Sequence, residues 1–214
     1  MCRLIRRICT LSASTGGFPL DALDAILTRR SAGVVQADQT PRDEDIDRIL
    51  LAGTRAPNHH RTEPWRFFVL KGEGRRRLGA VLADIALDGA QEATSEVARE
   101  VRDRAMAKAF RAPVIITVAV VPSDSERVEW VEEVAAGAAA AQNMLLAAHA
   151  LGYGAIWRTG QQAYHAKMKQ LFGLPETGQV VGFIYLGYPV RAIESPAHRA
   201  PVAEKTVYWT TESD

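Results

Sequence analysis

The sequence has only two cysteines among its 214 residues, and both lie near its beginning. Cys2 and Cys9 cannot cross-link a core elsewhere in the chain, which excludes a disulfide-stabilised secreted scaffold and favours a reducing compartment. No apolar run reaches the roughly 20 residues that a transmembrane helix needs. The formal net charge is only +1, which gives no strong field for nucleic acid or an anionic membrane. We therefore expect a cytoplasmic protein that binds neither.

Several common catalytic motifs are also missing. There is no P-loop, no G-x-S-x-G elbow and no cysteine placed as a nucleophile. His59 and His60 are adjacent, but no further ligands stand at the spacing of a metal site, so we predict no metal. The segment GEGRRR follows an expected strand, as a dinucleotide-binding loop would. Arg77 replaces the third glycine of that motif, which favours an ordinary turn.

What the chain does have is enough apolar residues, 47%, to bury the core of one domain. Residues 1–18 are basic and then small and polar, which predicts a disordered N-terminal tail. No linker divides the remainder, so we expect one domain over residues 19–214 that ends in a C-terminal arm.

Hydrophobic periodicity predicts an α+β sandwich, in which helices pack on a mixed sheet. Thr40 is the expected N-cap of the second helix, with Pro41 at its first position and Gly53 at its end. Predicted helices cover residues 20–30, 41–53, 73–88, 91–109, 130–152 and 163–173, and predicted strands cover residues 65–70, 112–121, 153–158, 179–189 and 206–209.

The predicted helix over 130–152 is apolar on nearly every side, with acids only near its start. At 1.5 Å per residue it would be about 35 Å long. A helix that is apolar all round is buried, either centrally or between subunits. We expect an obligate homodimer whose interface exceeds roughly 2,000 Å², with the C-terminal arm around the partner.

Polar residues gather where the predicted elements end. Cations at the end of the first helix suit its macrodipole, so simple capping is one interpretation. Arginine also offers a planar fork for phosphate, and a hydroxyl adds a donor, so an anion pocket built from several loops is the other. The residues in question are Arg29, Arg30, Ser31, Arg55, His59, Trp157, Arg158 and Thr159.

The segments RRSAG, AGTRAPNHHRTEPWRFFVL, RAPVIITVAV and GYGAIWRTG resemble the flavin mononucleotide (FMN)-dependent nitroreductase family, and most of all its small bacterial members. The resemblance extends from about residue 20 to residue 190. It implies a nitroreductase-like sandwich, with a mixed, mostly antiparallel sheet flanked by helices and a long central helix at a dimer interface. It also implies a homodimer that binds one FMN in each of two interface sites.

The resemblance also implies roles for single residues. Arg29, Arg30 and Ser31 would contact the FMN phosphate and pyrimidine, and Arg55 and His59 would reach the same flavin from the partner subunit. Trp157, Arg158 and Thr159 would lie along the isoalloxazine and the phosphate. A nicotinamide-binding segment would consist of Ala147, Ala148, His149, Ala150, Leu151 and Gly152.

Two positions depart from the commoner family pattern. Val34 or Val35 stands where another arginine is usual, and no basic phosphate contact near the C-terminus is evident, although Arg191 and Arg199 are nearby. Phosphate binding is therefore expected to depend more on Arg29 and Arg158.

The implied function is that of an NAD(P)H nitroreductase. Hydride would pass from NADH or NADPH through FMN to a nitroaromatic or quinone-like acceptor in a ping-pong cycle. The flavin N5 would carry the chemistry, so no side chain is predicted to be catalytic. Three alternatives stay open at this point: a dehalogenase or enone reductase, a flavin-binding protein without turnover, and an interaction protein without cofactor.

Overall fold

The computed structural model describes residues 21–88, 94–191 and 199–209; the predicted tail and both cysteines lie outside the described residues. The helices are α1 (Ala22–Thr28), α2 (Asp43–Gly53), α3 (Arg75–Asp88), α4 (Ser95–Ala107), α5 (Trp130–Ala150), α6 (Gln161–Tyr164) and α7 (Ala166–Leu171). The strands are β1 (Trp65–Lys71), β2 (Val114–Val120), β3 (Gly154–Arg158) and β4 (Gln179–Gly187).

These four strands form one sheet in the order β1-β2-β4-β3, and every neighbouring pair is antiparallel. Within the described residues, parallel pairing is limited to a bridge between Ser31 and Ala155, beside the edge strand β3. Strands β2 and β4 are buried along their whole length. The predicted α+β sandwich with a mostly antiparallel sheet is confirmed.

Helices cover both faces of the sheet. Helices α2 and α5 pack on one face, where Ile49 and Met144 are fully buried. Helices α3 and α7 pack on the other face, where Leu78 and Met168 are fully buried. Since side chains alternate along a strand, each strand contributes to both cores.

The start of α2 differs from the prediction. Its N-cap is Arg42 rather than Thr40, and Arg42 makes no capping bond through its side chain. Asp45 in the first turn is buried, pairs with Arg42 and Arg48, and accepts a hydrogen bond from the Tyr153 hydroxyl at 2.8 Å. This tertiary contact anchors the helix start, and the acids of the first turn suit its macrodipole.

Two further predictions need correction. The helix expected over residues 163–173 is split at His165, whose backbone is extended and whose Nδ1 accepts a hydrogen bond from the Lys167 amide, capping α7. The strand expected over residues 206–209 is absent. Trp209 there is 94% exposed, because no neighbouring strand within the described part of the chain pairs with that segment.

Helix α5 confirms the long apolar helix. One side, which includes Ala140, Met144 and Ala148, is fully buried against the sheet and α2. The opposite side is also apolar, yet Val131 is 65% exposed and Ala135 is exposed. Further along this side, Ala138 and Leu146 are only half-buried, so the described chain covers this second face in part. None of the described helices is both long enough and apolar enough to cross a membrane.

Gly182 in β4 gives a test of the core packing. A Cβ placed there would lie 2.1 Å from Trp157 Nε1 and 2.9 Å from the Arg158 carbonyl oxygen. We expect Gly182→Ala to lower the free energy of unfolding by about 1–3 kcal/mol, the usual cost of overpacking, and to change Trp157 fluorescence. Denaturant titration measures the first effect. Gly74→Ala is the matched control, since a Cβ there meets nothing within 4 Å; equal losses would contradict the expectation.

Candidate functional site

The segment after α1 runs along the outer edge of the sheet. The Ala32 amide donates to the Ala155 carbonyl at 3.0 Å, next to the Ser31 bridge. This pairing brings Arg29 and Arg30 close to the start of β3 and the last turn of α5. The polar end of the first helix is thus held against a fixed part of the fold.

Four basic side chains meet there, and we call Arg29, Arg30, His149 and Arg199 the arginine cluster. Partial burial, and then the charges of Arg30 and Arg199, lower the pKa of Arg29. Burial, and then Arg29 and Arg30, lower the pKa of His149. No carboxylate among the described residues forms an ion pair with Arg29. Cations that depress one another's pKa are typical of an anion-binding site.

The side chains of the adjacent residues Arg29 and Arg30 differ in their hydrogen bonds, which indicates different roles. Arg30 donates to the Arg29 carbonyl at 2.6 Å and to the Leu27 carbonyl at 3.3 Å, so its side chain caps α1. The Arg29 side chain makes no hydrogen bond to any described residue. The capping interpretation therefore fits Arg30, whereas the Arg29 guanidinium is available to a ligand.

His149 is held by the same helix end. The Thr28 hydroxyl donates to the Asp24 carbonyl at 2.5 Å and therefore accepts from His149 Nε2 at 2.9 Å. The predicted nicotinamide segment, residues 147–152, forms the end of α5 and the turn after it, where Gly152 has φ +82°. Ala148 is fully buried. The predicted nicotinamide segment thus overlaps the arginine cluster at one residue, His149.

The end of β3 directs its side chains to opposite faces of the sheet. Trp157 packs with the α5-side core, and its Nε1 is buried without a hydrogen-bond partner. Arg158 points to the α3 side, with its guanidinium 5.6 Å from the Tyr185 ring centre. There it lines a cavity of about 350 Å³, which we call the β3 cavity. Thr159 is exposed at the strand end, and its carbonyl accepts from Gln162 at 3.2 Å.

Arg55 and His59 lie at the other end of α5. Arg55 is exposed just after α2. His59 Nδ1 lies 2.8 Å from a Glu132 carboxylate oxygen, and the hydrogen bond with His59 lowers the pKa of Glu132. Glu132 and His149 are 17 positions apart on α5, which is about 25 Å at 1.5 Å per residue. One protomer therefore keeps His59 and the arginine cluster at opposite ends of this helix.

The loop that carries His59 has an unusual backbone. His60, Arg61 and Glu63 have φ values of +54°, +55° and +49°, a region that non-glycine residues rarely adopt. The fully buried carboxylate of Glu133 holds this loop, since it accepts from the Thr62 hydroxyl at 2.6 Å and from the Ser123 amide at 3.1 Å. Strained backbone that is fixed by its surroundings often occurs at functional sites.

Sequence reasoning missed the position of Arg199. It recognised no C-terminal basic contact, although the structure brings Arg199 near enough to Arg29 to lower its pKa. The two are 170 positions apart, and no local pattern links them. Lys108 and Arg111, which line the β3 cavity with Arg158, were also missed.

Within the described ranges, no group of three or more histidine, cysteine or acidic residues could hold a metal ion.

Comparison with known proteins identifies relatives over most of this chain. The model of the Nitroreductase family matches residues 26–188. The "Putative NAD(P)H nitroreductase YdjA" of Escherichia coli (strain K12) is 42% identical over 171 residues, which cover 79% of this chain and 89% of that protein.

Solved structures of related chains show the same fold. A nitroreductase-like family protein from Bacillus cereus superposes with a TM-score of 0.74 at 26% identity, covering 92% of this chain and 99% of that one. A "putative nitroreductase" from Desulfovibrio desulfuricans, solved in complex with FMN, superposes with a TM-score of 0.67 at 29% identity, covering 88% and 96% of the two chains.

Proposed function

The chain belongs to the nitroreductase family, and on that premise we propose that it is an FMN-dependent oxidoreductase. It takes hydride from NADH or NADPH and passes it to a nitroaromatic or quinone-like acceptor in a ping-pong order. The observation that carries this proposal is the arginine cluster, in which Arg29, Arg30 and His149 are partly buried and no described carboxylate pairs with Arg29. A reducing compartment, inferred from the cysteine content, supports a cytoplasmic location.

The residues of the cluster suit the phosphate of FMN. A phosphate dianion would neutralise Arg29 and Arg199, and the planar Arg29 guanidinium can donate two parallel hydrogen bonds to it. Ser31 adds an exposed hydroxyl at the same turn. Arg30, already fixed by two carbonyls, contributes positive charge beside the pyrimidine. These side chains would hold the phosphate end of the cofactor.

The backbone at the open edge of strand β3 is suited to bind the isoalloxazine ring of FMN. In the described part of the chain, the outer side of β3 is paired only by the segment at Ser31 and Ala32. The backbone from Trp157 to Thr159 therefore keeps N–H and C=O groups that can meet the isoalloxazine edge. Arg158 takes part through its backbone, because its side chain turns to the other face of the sheet.

When bound, FMN supplies the hydride chemistry, and the protein supplies binding, orientation and electrostatics. The donor and the acceptor occupy the same site in turn. The positive charge of Arg30 favours the electron-rich form of the bound cofactor. No side chain of the cluster is required to transfer a proton, so we assign no general base.

The separation of Arg55 and His59 from the arginine cluster supports a homodimer. If two copies pack through their α5 helices about a twofold axis, the start of one helix lies near the end of the other. His59 of one copy then approaches the arginine cluster of its partner. The exposed apolar face of α5, with Leu23, Ile26 and Leu27 of α1, gives such a pair a surface to bury.

Anaerobic titration of the purified protein tests the proposed function. We expect a yellow protein whose flavin absorbance is bleached by NADH or NADPH and restored by one equivalent of a quinone or nitroaromatic. Bleaching without restoration by these acceptors would favour a reductase of another substrate, such as a dehalogenase or enone reductase. A flavin that NAD(P)H does not bleach would indicate a binding protein without turnover. A colourless chain that takes up no FMN would contradict the proposal.

A further inference from the structure

We propose that Glu132 and Glu133, two neighbouring acids at the start of α5, are positioning residues that present His59 to the flavin site of the partner subunit. The inference rests on the proposed function, in which His59 of one copy approaches the arginine cluster of its partner. Glu132 contacts the His59 side chain, and Glu133 contacts the loop that carries it. The first acid thus orients the imidazole, and the second fixes the backbone that supports it.

The contact between Glu132 and His59 determines which ring nitrogen faces a ligand. His59 Nδ1 lies 2.8 Å from a Glu132 carboxylate oxygen, and this hydrogen bond lowers the pKa of Glu132. A carboxylate can only accept, so Nδ1 carries a proton and donates it. Within the described part of the chain, Nε2 has no hydrogen-bond partner and is the nitrogen left for a ligand. His60 stacks on the same ring, with 4.0 Å between the ring centres, and further limits its rotation.

The loop over residues 58–63, which we call the His59 loop, has a backbone that needs support from outside. Three of its residues have φ between +49° and +55°, a left-handed conformation that is unfavourable for residues other than glycine. Such a conformation persists only where the surroundings impose it. The side-chain hydrogen bonds within the loop are 3.1 and 3.4 Å long, whereas the contacts with Glu132 and Glu133 are 2.8 and 2.6 Å long. The two glutamates are therefore its closest polar anchors.

The Glu133 carboxylate is fully buried, yet no cation among the described residues pairs with it. It accepts from the Thr62 hydroxyl and from the Ser123 amide at 3.1 Å, so it joins the His59 loop to the segment after β2. Burying a carboxylate costs more than burying an apolar side chain, so core packing alone does not account for Glu133. The N-terminus of α5 and the two donors offset part of that cost. Glu133 therefore fixes the loop, and through the loop it fixes His59.

Nuclear magnetic resonance of the histidine ring nitrogens tests the role of Glu132 in the purified protein. At about pH 9, where an ordinary histidine is neutral, we expect His59 to carry its proton on Nδ1. Glu132→Ala removes the acceptor and should move the proton toward Nε2, the position that free histidine prefers. Glu132→Gln, whose amide oxygen can still accept, should leave it on Nδ1. A proton on Nε2 in the unsubstituted protein, or an unchanged proton position in Glu132→Ala, would overturn the proposal.

Titration of the full-length apoprotein with FMN tests the role of Glu133. Thr62→Val keeps the shape of the side chain but removes the hydroxyl from which Glu133 accepts. We expect it to weaken FMN binding about 10-fold, the lower end of the effect of losing one hydrogen bond to a charged group. Thr62→Ser keeps the hydroxyl and should restore most of the affinity. Glu133→Gln, which removes the charge in the same shape, should weaken FMN binding to a similar extent.

Thr117→Val is the matched control, because it makes the same change at a buried hydroxyl that has no hydrogen-bond partner in the described structure. Its FMN affinity should equal that of the unsubstituted protein. Unchanged FMN affinity in folded Thr62→Val and Glu133→Gln would overturn the proposal, as would an equal loss in Thr117→Val. The proton position on His59 can be measured without bound flavin, so failure of this proposal is distinguishable from failure of the proposed function.

Discussion

Replacing Arg29 with alanine is expected to give a folded protein that purifies nearly colourless. If Arg29 only capped α1, the change would lower stability by about 0.3–1 kcal/mol and leave FMN content near normal. If it holds the phosphate, the lost hydrogen bond to a charged group is worth about 1.5–3 kcal/mol. That corresponds to roughly 10- to 150-fold weaker FMN binding. Flavin absorbance per protein, followed by titration of the apoprotein with FMN, measures the difference.

Two variants at the same helix end refine this expectation. Arg29→Lys should recover only part of the binding, because an ammonium group cannot make a two-pronged contact with phosphate. Arg30→Ala should keep more FMN but lower its reduction potential, since Arg30 is bound to two carbonyls and its proposed place is beside the pyrimidine. Arg104→Ala is the control for loss of an exposed arginine. Wild-type FMN affinity in Arg29→Ala would restore the capping interpretation.

The parts of the fold that sequence predicted well are those that local pattern determines. The run APVIITVAVV has strand length and no polar face, and β2 is buried at every position. The alanine-rich stretch after residue 130 could only be a long buried helix, and α5 covers Trp130–Ala150. The element order followed from these segments and from the prolines and glycines between them.

The errors arise where a distant contact decides the local structure. Thr40 is a good N-cap by residue type, but Asp45 fixes the start of α2 through Tyr153, 108 positions away. The segment TVYW has strand-forming residues, yet a strand needs a partner, and none of the described strands pairs with it. Local preference is a weak guide when tertiary contacts compete with it.

The candidate site shows the same limit. Family-like motifs identified Arg29, Arg30 and Trp157 to Thr159 as residues of interest, but they could not show which face of β3 receives each side chain. A shift of one position reverses the face, because side chains alternate along a strand. Arg158 joined Arg29 in the sequence-based expectation of phosphate binding, which stays a prediction; the structure places its guanidinium 5.6 Å from the Tyr185 ring centre, beside the β3 cavity. The proximity of Arg199 to Arg29, which is close enough for its charge to lower the pKa of Arg29, became visible only in the fold.

Mixing two defective variants is expected to restore FMN binding if the site is shared between subunits. Arg29→Ala removes the phosphate contact, and the double change Arg55→Ala/His59→Ala removes the groups at the other end of α5. In a mixed dimer with twofold symmetry, one site receives all the substitutions and the other receives none. Random exchange of subunits would therefore give about one quarter intact sites. Each variant alone should bind little FMN.

The physical reason is the length of α5. His59 contacts Glu132 at the start of this helix, and the arginine cluster includes His149 near its end, about 25 Å away. Within one chain these groups cannot meet around one flavin ring, whereas antiparallel α5 helices in the proposed homodimer would bring them together. Sedimentation should show a stable dimer at low micromolar concentration, because the exposed apolar side chains of α1 and α5 favour burial against a second copy.

Mixing Arg29→Ala with Arg199→Ala is the matched control for this complementation. Both residues belong to the arginine cluster of one chain, so every site in the mixed dimer lacks one of them. No recovery of FMN is expected from that mixture, although subunits exchange as freely. The mixed samples are partly unfolded and refolded so that subunits exchange. They are then titrated with FMN, and the amount of tightly bound FMN per protein measures the fraction of intact sites. Recovery in both mixtures, or in neither, would contradict a site built from the arginine cluster of one subunit and His59 of its partner.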